Sequence, residues 1–500
     1  MQYTSTRGNR QLCSGAEAIR SGIAADGGLF VPLKMPTVNV SWVNKPPTYD
    51  KLAAEILGKL LPDYTQEELS RCSAAAYADN FDSPEVAPLV RVGSRSILEL
   101  WHGPTSAFKD MALQIMPRLL TLALEKTGES SELLILVATS GDTGKAALEG
   151  FKDVQGTSIL VFYPSEGVSE VQRRQMVTQE GANVGVVAVE GNFDDAQTGV
   201  KQIFADSAIR EMLAQKHWKL SSANSINWGR LAPQIAYYFS AYHALCGKGT
   251  IQAGDLVNFS VPTGNFGNIL AGYYARQMGL PIGRLICASN ENNVLTDFLR
   301  TGVYDRNRPF HQTISPSMDI LISSNLERLL YHTTQGDTKR IRSWMTQLNS
   351  QGRYEVDAET LSEIKKNFWA EWVSETEARQ AIRQVWEQEK YLLDPHTAVA
   401  WKAAETYEMK TQDDVPMVVL STASPFKFAD SVLPAIGDVE AATKNEPLEL
   451  LVRLEEKTGW RIPMGLSELA FKALRHKQIC KVERMPEAVG SFIDNVSSIR

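Results

Sequence analysis

The sequence predicts an α/β protein in which helices pack on parallel β-sheet. Five segments repeat one order, a short apolar run, a Gly- or Ser-rich turn and a helical pattern; they span 132–151, 157–176, 182–204, 255–279 and 415–433. The apolar runs do not alternate with polar residues, which is typical of strands buried on both faces of a parallel sheet. Strands that alternate with helices indicate crossover connections and an α/β architecture.

Length and charge narrow the class of protein. The 500 residues predict two or three domains. The formal net charge is -7, from 51 basic and 58 acidic side chains, which argues against a nucleic-acid-binding protein. An anionic small molecule stays possible as a ligand, because a local pocket can oppose the overall sign of charge. No run approaches the roughly 20 apolar residues that cross a bilayer, so no membrane segment is expected.

The cysteines and the first residues indicate a compartment. The five cysteines lie far apart and form no CxxC pair, so neither a disulfide framework nor a zinc ribbon is expected. The start, MQYTSTRGNRQLCSG, lacks the apolar stretch of a signal peptide. We expect a cytoplasmic protein with reduced thiols and no bound metal.

The repeated pattern divides the chain into four segments. Residues 1–95 lack it and read as a mostly helical N-terminal region. The α/β pattern falls into 96–235 and 236–440, with a helical insertion at about 325–390. Residues 441–500 read as a charged helical end.

One glycine-rich turn, in SVPTGNFGNIL, follows a predicted strand and opens a predicted helix. Gly264 and Gly267 allow the backbone to turn sharply and to approach a ligand closely. The first amides of the helix attract phosphate or carboxylate. The glycines by themselves are explained by an ordinary strand-to-helix turn. With the side-chain amides of Asn265 and Asn268 beside them, an anion-binding site and an ordinary turn explain the sequence equally well.

A second turn, ATSGDTGKAA, has the same setting and carries hydroxyls on Thr139, Ser140 and Thr143. A nucleotide-binding P-loop needs a glycine where Thr139 stands and a hydroxyl where Ala146 stands. We therefore expect a carboxylate site in place of a nucleotide site. Lys145 is interpreted as a solvated side chain of the first helical turn.

A third turn, STASPFKF, follows the apolar run VVL and brings the Thr422 hydroxyl to a strand end. Ligands of open parallel sheets bind at the carboxyl ends of strands, so the three turns together predict one shared crevice. Alone, this third turn is typical of a loop.

Lys109 stands in the stretch HGPTSAFKDMA, after small residues that leave room for a flat ring. A partly desolvated lysine with a lowered pKa can form a Schiff base, and Phe108 is placed to exclude water from it. On local sequence alone, a lysine in a polar loop paired with Asp110 is the simpler reading. His102 and His396 are interpreted as structural, His102 as a core histidine that donates to backbone and His396 as a helix cap.

Together the motifs carry a family resemblance. HGPTSAFKD, TSGDTG, NSINWGRLAPQIAYY, VPTGNFGN and STASPFKF, in this order and spacing, resemble the threonine synthase family of pyridoxal-phosphate enzymes. The resemblance implies the tryptophan-synthase-β-like fold (fold type II), with two open, mostly parallel sheets flanked by helices and a helical N-terminal region. The chain departs from the family pattern at two positions. Many relatives have TAHPAKF where this chain has TASPFKF, and Ser424 and Phe426 stand in place of His and Ala.

The resemblance also implies how pyridoxal 5′-phosphate is held. Lys109 matches the family lysine that binds the cofactor covalently, and Thr422 matches the hydroxyl at the pyridine nitrogen. Asp142 is expected near the ring oxygen. The cofactor phosphate is expected on the turn formed by Gly264, Asn265, Phe266, Gly267 and Asn268.

The implied reaction converts O-phospho-L-homoserine and water into L-threonine and phosphate. The substrate phosphate is expected on Arg230, Asn224, Ser225 and Ser106, with Lys145 as a further candidate. A helix-start ion pair explains Arg230 equally well on local grounds.

Thr139, Ser140 and Thr143 are expected to hold the substrate carboxylate. A phospho-lyase that forms 2-oxobutyrate and a non-catalytic cofactor-binding protein are the alternatives, and a monomer or homodimer is expected.

Overall fold

The computed structural model describes residues 1–9, 11–38, 47–139, 141–166, 168–440 and 446–499. Ser140 therefore lies outside the described residues. The strands are β1 (Tyr3–Ser5), β2 (Phe30–Pro32), β3 (Leu89–Val92), β4 (Arg95–Glu99), β5 (Glu132–Ala138), β6 (Thr157–Pro164), β7 (Val184–Val189), β8 (Trp218–Ser221), β9 (Val257–Pro262), β10 (Ile282–Ser289), β11 (Val303–Asp305), β12 (Arg353–Glu355), β13 (Phe368–Trp372), β14 (Met417–Ser421) and β15 (Gln478–Cys480).

The helices are distributed along the whole described chain. The first eleven are α1 (Gly15–Ser21), α2 (Tyr49–Leu60), α3 (Gln66–Tyr77), α4 (Asp110–Leu113), α5 (Met116–Lys126), α6 (Asp142–Phe151), α7 (Glu170–Val177), α8 (Phe193–Ala205), α9 (Ser207–Gln215), α10 (Trp228–Leu231) and α11 (Ile235–Gly247). The others are α12 (Gly267–Gln277), α13 (Val294–Thr301), α14 (Leu326–Thr333), α15 (Thr338–Gln351), α16 (Ala358–Asn367), α17 (Glu375–Glu389), α18 (Pro395–Thr411), α19 (Ala429–Ala435), α20 (Pro447–Thr458), α21 (Met464–Ser467) and α22 (Met485–Ile499). Short 3-10 turns occur at Ala232–Gln234, Pro316–Met318, Pro425–Phe428, Glu468–Ala470 and Val482–Arg484.

Two large sheets organise the molecule. The five-stranded sheet has the order β15-β7-β6-β5-β8, and every neighbouring pair in it is parallel. The six-stranded sheet has the order β13-β10-β9-β14-β4-β3 and is parallel except at its edge, where β3 runs antiparallel to β4. The predicted α/β class with two mostly parallel sheets is confirmed.

Burial on both sheet faces explains the unbroken apolar runs. In β5, Leu133, Ile135 and Val137 face one hydrophobic core while Leu134 and Leu136 face another. Because helices cover both sides, most positions along these central strands hold apolar residues. The unbroken apolar runs of the sequence therefore arise from burial on both sheet faces, as predicted.

Each large sheet draws on more than one of the sequence segments separated above. The strand β4 belongs to the same sheet as β9, β10 and β14, and β15 from the end of the chain completes the sheet of β5–β8. The segment boundaries stay predictions. Among the described residues, none of the helices combines the length and the apolar character that crossing a membrane requires.

The sheet topology brings the candidate turns to strand ends of the same polarity. The TSGDTG turn follows the carboxyl end of β5, the VPTGNFGN turn follows that of β9, and the STASPFKF turn follows that of β14. The loop that carries Lys109 follows β4, which is parallel to β14. Residues from both large sheets thus reach one region of the molecule.

Candidate active site

The loop 103–109 holds Lys109 at the start of α4. The Asp110 carboxylate accepts hydrogen bonds from the Thr105 amide (2.8 Å) and the Thr105 hydroxyl (2.7 Å) and so closes the loop on itself. Burial raises the pKa of Asp110 to about 6, against the effect of these bonds. Asp110 therefore fixes the loop, and its oxygens are not the close partner of Lys109 that the simpler reading proposed.

The Lys109 ammonium is buried and contacts one hydroxyl, one carboxylate and one aromatic ring. Its Nζ donates to the Ser317 hydroxyl at 3.2 Å, lies 3.8 Å from Asp142 Oδ2, and lies 4.9 Å from the centroid of the Phe108 ring. Burial lowers the pKa of Lys109 to about 8; Asp142 opposes this effect, whereas the charges of Arg230 and Lys427 add to it. The neutral amine is therefore more populated near neutral pH than it is for an ordinary lysine, as a nucleophilic lysine requires.

Asp142 has its closest ionic contact with Lys427. Lys427 Nζ lies 2.6 Å from Asp142 Oδ1, and the Gln172 amide donates to the same oxygen at 2.9 Å. Burial acts to raise the pKa of Asp142, but the charges of Lys427 and Lys109 hold it well below its usual range. Asp142 is therefore ionised, and the ion pair connects the turn after β5 with the turn after β14.

The turn between β9 and α12 combines a left-handed residue with a glycine that a neighbouring main chain approaches closely. Phe266, the residue before α12, adopts the left-handed conformation (φ 61°) although it carries a side chain, and that side chain is buried. A Cβ on Gly264 would lie 2.8 Å from the Ser317 carbonyl oxygen, so this position requires glycine. Strained backbone of this kind is concentrated at functional sites.

Two buried polar groups of the site have no hydrogen-bond partner among the described residues. One is Asn268 Nδ2, whose amide oxygen accepts from the Tyr237 and Tyr238 hydroxyls. The other is Ser106 Oγ, on a residue that also adopts a left-handed conformation (φ 58°). A buried polar atom without a partner is costly, so each of these two atoms is a candidate to bind a ligand group.

The Thr422 main chain fixes the loop of Lys109. The Phe108 amide donates to the Thr422 carbonyl at 2.8 Å, and Ser424 donates its amide to the Ser106 carbonyl at 3.1 Å. Ser424 is buried and caps the 3-10 turn that follows, through a bond from the Phe426 amide. Ser424 thus has a local structural function at the position where many relatives carry His.

Arg230 is a buried cation without a counter-ion. Its guanidinium donates to the Ala223 carbonyl at 2.7 Å and, within the described part of the chain, forms no ion pair. Burial lowers its pKa to about 10, and its charge acts on Lys109. The alternative of a helix-start ion pair is therefore wrong. Nearby in sequence, Asn224 is exposed, and the half-buried Ser225 accepts a bond from the Asn325 amide at 3.3 Å.

Comparisons with known proteins agree with this geometry. The sequence model described as "Pyridoxal-phosphate dependent enzyme" matches residues 96–422. "Threonine synthase N terminus" matches residues 2–77, and "Threonine synthase, C-terminal" matches 397–459. A threonine synthase from Pseudomonas aeruginosa is 41% identical over 448 residues, which cover 88% of this chain and 92% of that protein. The chain belongs to the threonine synthase family.

Two further relatives define the extent of the match. The human protein named threonine synthase-like 1 is 42% identical over 434 residues, which cover 84% of this chain but 58% of that protein. The chain thus spans little more than half the length of these mammalian relatives. A crystal structure of pyridoxal-phosphate-bound threonine synthase from Brucella melitensis superposes with a TM-score of 0.87 at 36% identity and covers 98% of this chain and 99% of that one.

Within this threonine synthase family chain, some predicted side chains serve the local structure. The Thr139 hydroxyl accepts bonds from the Gly141 and Gly144 amides, both at 3.0 Å, and so shapes the turn before α6. Thr143 is half-buried in the first turn of α6. Their proposed role in carboxylate binding stays a prediction.

The structure contradicts the predicted solvent exposure of Lys145. Its side chain is buried and binds Glu149 at 2.8 Å and the Gln179 side chain, so the solvated reading is wrong. A residue of the first helical turn is solvated only where no other element covers it, and here Gln179, which follows α7, covers it. With its ammonium occupied by these partners, Lys145 is not a free cation for substrate phosphate.

His102 and His396 both bind neighbouring protein groups, but not the partners that the sequence predicts. His102 Nδ1 lies 2.5 Å from Asp82 and Nε2 lies 2.8 Å from Glu99, so its expected donation to backbone is wrong. His396 lies in the first turn of α18, which is capped by Asp394, so the expected capping role of His396 is wrong. Its Nδ1 contacts Asp394 and its Nε2 accepts from the Ser317 amide at 3.2 Å. It therefore holds the turn Pro316–Met318 that contacts Lys109.

Sequence reasoning missed Lys427 and Ser317. Lys427 stands between two phenylalanines in the stretch PFKF, and a charged residue in so apolar a setting after a strand signals a buried ion pair. Ser317 lies in a loop about 200 residues from Lys109, and no local pattern connects the two.

His102 links the loop start to two carboxylates, and this predicts a pH-dependent contribution to stability. Burial acts to lower the pKa of His102, but the bonds to Asp82 and Glu99 raise it to about 9. The unfolded value is about 6.5, so the protonated contact stabilises the protein fully below about pH 6.5 and is lost as pH rises through about 9. His102→Gln is expected to lower the free energy of unfolding by about 2 kcal/mol at pH 6 and by much less at pH 9.5. Urea unfolding at several pH values measures this difference; a loss that is equal at both pH values would contradict it.

Proposed function

We propose that this chain is a threonine synthase, which converts O-phospho-L-homoserine and water into L-threonine and phosphate with pyridoxal 5′-phosphate as cofactor. One observation carries the proposal: the buried amine of Lys109 shares its site with a buried guanidinium, Arg230, that has no carboxylate partner in the described part of the chain. The amine suits an aldehyde cofactor, and the guanidinium suits the phosphate of a substrate. The family to which the chain belongs supports the same reaction.

The described residues fit the cofactor. Lys109 would hold its aldehyde carbon, and the turn 264–268 would hold its phosphate through the first amides of α12 and the unpartnered Asn268 Nδ2. Thr422 offers a neutral hydroxyl for the ring nitrogen, and Asp142 is proposed near the ring oxygen. When bound, pyridoxal phosphate supplies an electron sink that stabilises negative charge developing on substrate carbon.

Lys109 Nζ is proposed to move the protons of the reaction. A pKa of about 8 lets the amine accept a proton near neutral pH and return it later in the cycle. Its four-carbon stem allows Nζ to reach both the Cα and the Cβ proton of the substrate. Burial and the neighbouring Phe108 ring keep bulk water from this atom.

The substrate anions are assigned to two groups of side chains. Arg230, Ser106, Asn224 and Ser225 are proposed for the phosphate, because they combine a buried cation with a hydroxyl that lacks a partner among the described residues. Thr139, Ser140 and Thr143 are proposed for the carboxylate, at the amino end of α6, where the helix dipole favours an anion.

We propose a cytoplasmic location and a small assembly. The five cysteines are unpaired, which fits the reducing conditions of the cytoplasm. A monomer or homodimer is proposed, and mass measurement in solution by light scattering distinguishes the two.

Product analysis tests the reaction. The purified protein with pyridoxal phosphate and O-phosphohomoserine is expected to release threonine and phosphate in equal amounts, measured by chromatography and a phosphate assay. Lys109→Ala should lower turnover by roughly a thousandfold or more, because it removes the amine that is proposed to hold the cofactor and to move the protons. Formation of 2-oxobutyrate in place of threonine would establish a phospho-lyase, and no product from a cofactor-loaded protein would establish a cofactor-binding protein; either result contradicts the proposal.

Arg230 is expected to act on substrate binding. Arg230→Gln removes the unpaired guanidinium and should raise KM for O-phosphohomoserine by roughly 10- to 100-fold, the effect of losing a charge-assisted bond of about 1.5–3 kcal/mol. Arg276→Gln is the matched control, since Arg276 donates to the Gly283 carbonyl on the far side of α12. Steady-state kinetics give KM for O-phosphohomoserine in both variants and in the unmodified protein. Equal KM values for Arg230→Gln and the unmodified protein would show that the phosphate is held elsewhere.

A further inference from the structure

Lys427 is a fully buried cation to which the proposed reaction gives no function. Its side chain is 0% exposed; Nζ lies 2.6 Å from Asp142 Oδ1 and donates to the Thr105 carbonyl at 2.9 Å. Burying a charge is costly unless it is paired and hydrogen-bonded, and both conditions are met here. Lys427 thus sits between the TSGDTG turn and the loop that carries Lys109.

We propose that Lys427 is a positioning residue that serves as the counter-ion of Asp142, so that the Lys109 amine is left without a full counter-charge and can lose its proton. The inference rests on the proposed function of Lys109 as the cofactor-binding amine. It concerns the state of that amine before any substrate binds.

The two oxygens of Asp142 have different partners. Oδ1 contacts Lys427 at 2.6 Å and the Gln172 amide at 2.9 Å. Oδ2 lies 3.8 Å from Lys109 and 3.4 Å from the Ser317 hydroxyl. Because Coulomb attraction weakens with distance and is strong in a buried site, the carboxylate stabilises Lys427 more than Lys109. With two ammonium groups and one carboxylate, the more distant ammonium is the one in excess.

The other charged groups near Lys109 do not supply the missing counter-charge. Arg230, on α10, adds a further positive charge. Asp110, on α4, acts to raise the pKa of Lys109, but less than Asp142 does, and its carboxylate oxygens are bound by Thr105. On α6, Lys145 and Glu149 pair with each other.

The turn Pro316–Met318 adds no charge of its own to the site. It meets Lys109 through the neutral Ser317 hydroxyl at 3.2 Å. His396, on α18, contacts the Ser317 main chain and Asp394, so its ring reaches Lys109 only through this turn.

If the Lys427 charge is removed, Asp142 should become the counter-ion of Lys109. In Lys427→Met, Lys109 becomes the one cation of the described residues within 4 Å of Asp142 and should hold its proton more tightly. The amine then reacts more slowly at neutral pH. In Lys427→Arg a cation remains beside Asp142, and Lys109 should keep its reactivity.

The test measures Lys109 directly in cofactor-free protein. A brief pulse of acetic anhydride at pH 6 to 10, followed by digestion and mass spectrometry, gives the pH midpoint for acetylation of the Lys109 peptide. Lys427→Met is expected to raise this midpoint by one pH unit or more, which is a tenfold lower reactivity at pH 7. Lys427→Arg should stay within about 0.3 unit. Lys145→Met, which removes another buried and ion-paired lysine of the region, is the matched control and should leave the midpoint unchanged.

A double variant covers the case in which Lys427→Met does not fold. Lys427→Met with Asp142→Asn removes both charges of the pair and should leave the midpoint within about 0.5 unit of the unmodified protein. A fall of more than one unit would show that Asp142 is the counter-ion of Lys109 and would overturn the proposal. An unchanged midpoint in folded Lys427→Met, or an equal rise in Lys145→Met, would also overturn it. No substrate is used, so failure here is distinct from failure to form threonine.

Discussion

The site depends on an imbalance of buried charge. Lys109, Lys427 and Arg230 are all buried, and within the described part of the chain Asp142 is the carboxylate that lies within 4 Å of any of them. Lys427 takes this carboxylate at 2.6 Å. One amine is thereby free to lose its proton, and one guanidinium is free to bind an anion, which are the two properties that an aldehyde cofactor and a phosphorylated substrate require.

The fold creates this imbalance by bringing distant strand ends together. Asp142 follows β5 of the five-stranded sheet, whereas Lys427 follows β14 of the six-stranded sheet. Their ion pair joins the two sheets at the site, and the bonds between the loop 103–109 and the turn 422–427 fix Lys109 beside it. The charges are thus positioned by main-chain contacts, and the strained Ser106 and Phe266 backbones lie in the same region.

The sequence predicts the fold class and part of the site for physical reasons. Unbroken apolar runs indicate burial on both faces of a parallel sheet, and the glycine turns after them indicate close approach, so the α/β class and the turn 264–268 follow from local pattern. The division into two sheets is implied by the family resemblance and not by the pattern. The pairing of residue 142 with residue 427 does not, because it joins positions far apart in the chain. Lys145 shows the same limit: its burial is decided by Gln179, which no pattern around Lys145 reveals.

The most direct measurement identifies which amine carries the cofactor. The protein is loaded with pyridoxal phosphate, reduced with borohydride, digested and mapped by mass spectrometry. If burial and the occupied Asp142 carboxylate make Lys109 the reactive amine, the reduced cofactor will be found on the Lys109 peptide alone. Label on Lys427 or Lys145, or on no lysine at one equivalent per chain, would contradict the assignment of charges described above.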